Sequence, residues 1–393
     1  MASPQVELSR TSNSPSNRRL VLAGQLAFLP TGVLTTLLGP MLPILIVRWA
    51  MNDTQAGNLF LVQFLASLAG VQLSGILLTR FGFRPAFLFG LLLMASGVGT
   101  LYLGSHAQGI VSVAVYGLGL GLIVPTANLL IAEISTGSGL TSRAGAVSLL
   151  NFFWGVGAVF CSLMVAWSAA HGLVPFFLGA VALFLLVLAW TMRDLPFPPA
   201  AKPGESSTSW SELSKSSTIW LFAVVFFLYP GAETAVGGWI GSYVLRWGSH
   251  GLALASIMPA IYWSALTAGR ALGTAFLRHF SEDRVLRLGY AGAASGIGLM
   301  LRVPSLPGVI AGAIITGLSF ATLYPITVAR LSQRYGVATR TIGAVMFSLA
   351  TLGPAMIPWL VGVVSHATGS LRSGLFLPFA ATLILFLIHC IQW

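Results

Sequence analysis

Charge is what this chain lacks. Only 7% of its 393 residues are charged, where a soluble domain carries about 25%. Lysine occurs twice, at Lys202 and Lys215, and the acids number nine. Hydrophobic residues make up 56% of the sequence. That balance argues against a soluble enzyme and for a chain that crosses the lipid bilayer repeatedly. The net charge of +11 comes from short, separated segments, not from a dense basic patch, so no nucleic-acid partner is implied. Cysteine is also scarce. Cys161 and Cys390 both lie in apolar runs and read as packing residues, not as a disulfide or a metal site. The six histidines (His106, His171, His250, His279, His366 and His389) show no metal-ligand spacing. No Walker sequence is present, and Gly117-Leu118-Gly119-Leu120-Gly121 lacks the strand and polar helix of a nucleotide motif. No enzyme constellation, metal or organic cofactor is therefore expected. Residues 1–17 are polar and lack the apolar core of a signal peptide.

What the chain has in abundance is long apolar runs. A membrane span needs about 20 such residues. Twelve segments qualify: 20–47, 54–78, 85–104, 109–133, 143–168, 174–192, 218–245, 253–277, 286–302, 307–330, 341–366 and 372–391. The longest polar insert, 193–217, holds Pro196, Pro198, Pro199 and Pro203 and reads as a linker. The expected organisation is a disordered cytoplasmic N-terminal segment 1–19, a six-helix bundle 20–192, a cytoplasmic linker 193–217 and a second six-helix bundle 218–393. With the N-terminus inside, fifteen of the twenty basic residues fall on the cytoplasmic side. Arg48, Arg246, Arg302 and Arg372 fall outside, and Arg270 lies within span 8. This bias places both termini in the cytoplasm of a plasma (bacterial inner) membrane.

The two halves echo each other. Gly117-Leu118 and Pro125 in span 4 recur as Gly317-Leu318 and Pro325 in span 10. Pro30 in span 1 recurs as Pro230 in span 7. Arg143, Gly145-Ala146-Val147 and Gly155 recur as Arg340, Gly343-Ala344-Val345 and Gly353 in spans 5 and 11. Parallel six-helix repeats place a substrate site near the bilayer midplane, between the halves.

On these features the chain resembles the major facilitator superfamily: an all-α membrane protein with twelve transmembrane helices in two pseudo-symmetric bundles. The loop Gly75-Ile76-Leu77-Leu78-Thr79-Arg80-Phe81-Gly82-Phe83-Arg84-Pro85 has the family's glycines and arginines, with Thr79 where an acid is usual. Gly231-Ala232-Glu233 followed by Gly237-Gly238-Trp239, and Thr126-Ala127-Asn128, are similar to the fucose–glucose permease group. Span 1 has no acid, and span 4 has Val124 where that group can carry Glu. The resemblance implies secondary transport of a small polar solute, most readily a sugar, proton-coupled or facilitative, by alternating access in a monomer. It also implies that spans 3, 6, 9 and 12 support the bundle from outside. The alternatives are an exporter of amphipathic, drug-like or lipid-like compounds and a non-transporting membrane receptor.

Within the spans, Glu233 stands out. An acid at a helix centre costs about 2.5–3.5 kcal/mol on insertion and normally faces a protein cavity. It carries substrate or a proton, or it is a structural acid paired with Arg270. Pro230 and the surrounding glycines can break the helix beside it. Tyr229 lies one turn away, and Tyr324 can face both. Trp263, Thr267 and Arg270 share one face of span 8. Arg270 fits either a cavity or a cytoplasmic gate. Trp239 and Trp263 read as stacking platforms or as belt residues. Asn128, Asn151 and Gln63 read as cavity polar groups or as helix-to-helix bonds. Arg80, Arg84, Glu133, Arg143, Arg330 and Arg340, at cytoplasmic helix ends, read as gating charges. The glycines of spans 4, 5, 7 and 10 read as close-packing or bending sites.

Overall fold

The computed structural model describes residues 15–135, 143–198, 215–247, 251–303, 305–335 and 339–391. Among them are fourteen helices and no strand: α1 (Pro15–Thr36), α2 (Leu38–Trp49), α3 (Asp53–Phe81), α4 (Phe83–Thr100), α5 (His106–Ile134), α6 (Arg143–Ala170), α7 (Val174–Met192), α8 (Ser217–Trp247), α9 (Leu252–His279), α10 (Glu282–Arg302), α11 (Leu306–Phe320), α12 (Leu323–Tyr335), α13 (Thr339–Thr368) and α14 (Leu371–Ile391). Helix is the form that satisfies every backbone group within one segment, which lipid requires. Ten stretches among the described residues are long and apolar enough to cross a membrane, counting α11 and α12 together. The α1–α2 pair forms an eleventh, bent by 43°. Helix α10, with charges at both ends, completes the twelve.

Two spans are broken where proline withholds a donor. Pro40 has no N–H for the carbonyl of Thr36, the residue at which α1 ends. Pro325 likewise has none for Ala321, in the gap between α11 and α12. The break expected at Pro230 is absent: α8 runs unbroken from Ser217 to Trp247. The reason is packing against α13. Gly353 sits directly on the carbonyl of Phe227, and a Cβ on Gly231 would lie 2.8 Å from the carbonyl of Gly353. Two helices in backbone contact hold each other straight through one missing hydrogen bond.

Packing divides the chain into two compact units. One comprises Met1–Leu37, Ala66–Cys161 and Gly172–Pro203; the other comprises Leu38–Leu65, Ser162–His171 and Gly204–Trp393. The division falls at Pro203/Gly204, inside the 193–217 segment, and also cuts spans 1, 2 and 5. In the first unit, α3 meets α5 at Gly70, where a Cβ would lie 2.9 Å from Gly121 Cα, and α1 meets α6 with Gly157 on the carbonyl of Leu29. The glycines of span 4 thus serve close packing. Helix α7 leaves Phe176 74% and Trp190 64% exposed, a face suited to lipid.

In the second unit, α2 packs on α8 and α9. A Cβ on Gly39 would stand 2.7 Å from the carbonyl of Gly237. At the other end of α8, Ile219, Phe222 and Phe226 form a core with Leu331 of α12 and Ile342 and Met346 of α13.

Candidate functional site

The second unit gathers most of the ionisable and phenolic groups singled out within the spans. On α8, Tyr229 and Glu233 are one turn apart, and the Tyr229 hydroxyl donates to Glu233 Oε2. The same hydroxyl reaches the carbonyl of Phe320, the last residue of α11, at 3.0 Å. Tyr324 at the start of α12 stacks on Tyr229, with ring centroids 6.2 Å apart and planes 21° apart. The ring of Phe320 meets Tyr229 edge-on at 5.3 Å. From α9, Tyr262 donates to the backbone carbonyl of Glu233 at 3.2 Å. Arg270 of α9 is close enough for its charge to act on Glu233 and on Tyr229, Tyr262 and Tyr324. Glu233, Tyr229, Arg270 and Tyr324 are therefore one cluster, built from three spans.

Close backbone approach makes the cluster fit. A Cβ on Gly237 would lie 2.7 Å from Trp263 Cζ2 and 3.1 Å from Tyr262 Cε1, so this glycine admits both rings against α8. Tyr262 is the member that sequence reading missed. Its signal was available: it sits eight residues before Arg270, close to two helical turns, and so shares that residue's face.

The other candidates are placed differently. Trp263 is 5% exposed and packs edge-on against Tyr262 at 5.0 Å. Trp239 is fully buried; its indole donates to the carbonyl of Pro358 at 2.9 Å and its ring lies 6.1 Å from Phe60. The ring is thus enclosed by protein, with neither face open in this structure. Gln63 is 1% exposed. In the first unit, the half-buried Asn128 and the exposed Asn151 donate to carbonyls four residues back on their own helices, Val124 at 2.8 Å and Val147 at 2.9 Å. These bonds do not join helices.

Among the gating candidates, Arg330 of α12 is bound by the first turn of α10, with Nε donating to Glu282 at 3.0 Å and Nη2 to Asp283 at 2.5 Å. Arg84 donates to the carbonyl of Leu195 at 2.8 Å. Arg80 and Glu133 are exposed helix-end charges. The side chains of Arg143 and Arg340 lie outside the described residues.

A second ionic centre, unforeseen in the sequence, joins α3, α8 and α13. Arg246 grips Asp53 with both terminal nitrogens, Nη1 at 2.5 Å from Oδ2. Ser365 donates to the same Oδ2 at 2.5 Å. Trp359 of α13 donates to Asn58 of α3 at 3.0 Å close by. Asp53 is one of only nine acids and opens a helix. It falls just outside the apolar run 54–78, as Arg246 falls just outside 218–245, so sequence alone shows each as a helix-end charge.

The fold is now matched by family. The profile described as Major Facilitator Superfamily covers residues 26–358. The chain belongs to the major facilitator superfamily. Among curated relatives, a glucose/galactose transporter of Brucella abortus is 26% identical over 375 residues, covering 88% of this chain and 87% of the relative. Bypass of stop codon protein 6 of Saccharomyces cerevisiae is 25% identical, covering 89% of this chain and 77% of the relative. Among solved structures, the nucleoside transporter NupG superposes with a TM-score of 0.77 at 15% identity, covering 94% and 99% of the two chains. The D-xylose–proton symporter superposes at 0.74 with 16% identity, covering 94% and 96%. These likenesses establish the twelve-span fold of this superfamily of membrane transporters.

Proposed function

We propose that this superfamily member moves a small sugar across the plasma membrane by alternating access, as a monomer with both termini cytoplasmic, and that Glu233 carries a coupling proton. One observation carries the reading. An acid in the middle of a membrane span is held by a phenol, with a guanidinium in electrostatic reach, where an unused carboxyl would only cost stability. The relatives named for glucose transport support the choice of a sugar. Thr267, one turn before Arg270 on the same face, has a buried hydroxyl oxygen with no partner among the described residues. That hydroxyl suits a polyhydroxy solute, which offers both donors and acceptors. In this reading residues 20–192 and 218–393 are the two rocking bundles and 193–217 is the cytoplasmic linker.

The test is counterflow. Proteoliposomes of the purified protein, loaded with unlabelled D-glucose, should transiently accumulate labelled D-glucose from outside. Excess D-galactose or D-xylose as competitor then ranks the sugars. A sealed vesicle showing no counterflow with any of these three sugars would remove the sugar assignment.

A further inference from the structure

We propose that Tyr229 is a positioning residue that transmits the protonation state of Glu233 to the backbone joint between α11 and α12. This deepens the proton-carrying reading of Glu233 and rests on it. The phenol oxygen of Tyr229 lies against two groups at once: Oε2 of Glu233 and the carbonyl of Phe320, 3.0 Å away. A phenol has one proton to give, and a backbone carbonyl can only accept. When that proton points at Phe320, the contact with Glu233 is a hydrogen bond only if the carboxyl brings its own proton and donates to the phenol oxygen. When Glu233 loses its proton to water, the carboxylate becomes the stronger acceptor. The phenol proton then swings to Oε2, and the carbonyl of Phe320 loses its donor.

That carbonyl is not an ordinary one. Phe320 is the last residue of α11, where helical acceptors outrun their donors. Pro325 offers no N–H to the next carbonyl, that of Ala321. A change of donor therefore falls on a backbone segment with few internal bonds to hold it. The groups facing Glu233 from each neighbouring element fit this exchange. From α9, Tyr262 is occupied with the backbone carbonyl of Glu233, and Arg270 supplies a positive charge to receive the carboxylate. From α12, Tyr324 stacks on the Tyr229 ring and limits its swing. From α13, the contacting residues at Gly231 are Gly353 and Ile357, neither of which titrates.

Infrared difference spectroscopy during a pH titration of the full chain in liposomes reads both ends of the relay. Wild type should show a protonated-carboxyl C=O band that disappears with rising pH, together with an amide I change from the backbone. Glu233→Gln should remove its band from among those of the nine acids, and the amide I change with it. Tyr229→Phe should keep the carboxyl band, moved to higher frequency by loss of its hydrogen bond, and lose the amide I change. An amide I change of wild-type size in Tyr229→Phe overturns the relay while leaving Glu233 as the proton site. Carboxyl bands of the same total size in wild type and Glu233→Gln overturn the proton site itself. Should Tyr229→Phe not fold, wild type alone decides: a titrating carboxyl band with no amide I change rules the relay out.

Discussion

Two acids in the same unit, the buried Asp53 and the half-buried Glu233, are held in opposite ways. Asp53 accepts from both terminal nitrogens of Arg246 and from Ser365, so its charge is neutralised by direct contact. Glu233 is bonded by the phenol of Tyr229, with Arg270 acting through its field. A carboxylate saturated by a forked guanidinium is locked as an anion and ties helices together. One bonded to a phenol, which can reverse its donor, retains the capacity to gain and lose a proton. The first arrangement makes a clasp between α3, α8 and α13; the second is the site proposed for the coupling proton.

The sharpest break in this comparison is thermal. Asp53→Asn leaves Arg246 facing an amide and should lower stability by about 2–4 kcal/mol, toward the lower end of the cost of breaking a buried pair. The Arg246 side chain is 36% exposed, and solvent moderates the loss. Glu233→Gln should by contrast leave the melting temperature in detergent near wild type, since a neutral amide removes a half-buried acid and keeps an acceptor for Tyr229. Equal losses in both variants would erase the distinction. A double-mutant cycle of Asp53→Asn with Arg246→Met sharpens it, with a coupling of about 1–3 kcal/mol expected for a contacting charged pair.

A smaller effect follows from the backbone that carries both acids' partners. Gly353→Ala drives a methyl into the carbonyl of Phe227 and should cost about 1–3 kcal/mol, the usual range for overpacking. Because α8 bears Glu233 and Arg246, spreading α8 from α13 should weaken the clasp and the site together. The smallest effect belongs to Tyr262→Phe. Loss of its hydrogen bond to the Glu233 carbonyl should cost about 1 kcal/mol, read as a small drop in melting temperature. A loss several times larger would mean that Tyr262, and not Tyr229, anchors the acid.

Most of the architecture was legible because it follows from one constraint: lipid forces helices, and helices of known rise need runs of known length. The twelve runs, Glu233 and its neighbours Tyr229 and Arg270 could be read on that basis. The places where a helix breaks could not. Pro40 and Pro325 break their spans whereas Pro230 does not, and the difference lies in Gly353 and Gly231, which bring α13 against the backbone of α8. Local sequence at a proline is silent about a partner more than a hundred residues away. The pairing of Asp53 with Arg246 is hidden for the same reason: each reads as a helix-end charge until the fold brings them together.

If Glu233 carries the coupling proton, protons must move with the sugar in wild type and not in its amide variant. Proteoliposomes holding an internal pH dye, without an imposed gradient, are given D-glucose outside. Wild type should acidify its interior as sugar enters, and Glu233→Gln should exchange sugar without moving the dye. Wild-type acidification by Glu233→Gln would mean that the coupling proton travels on another group.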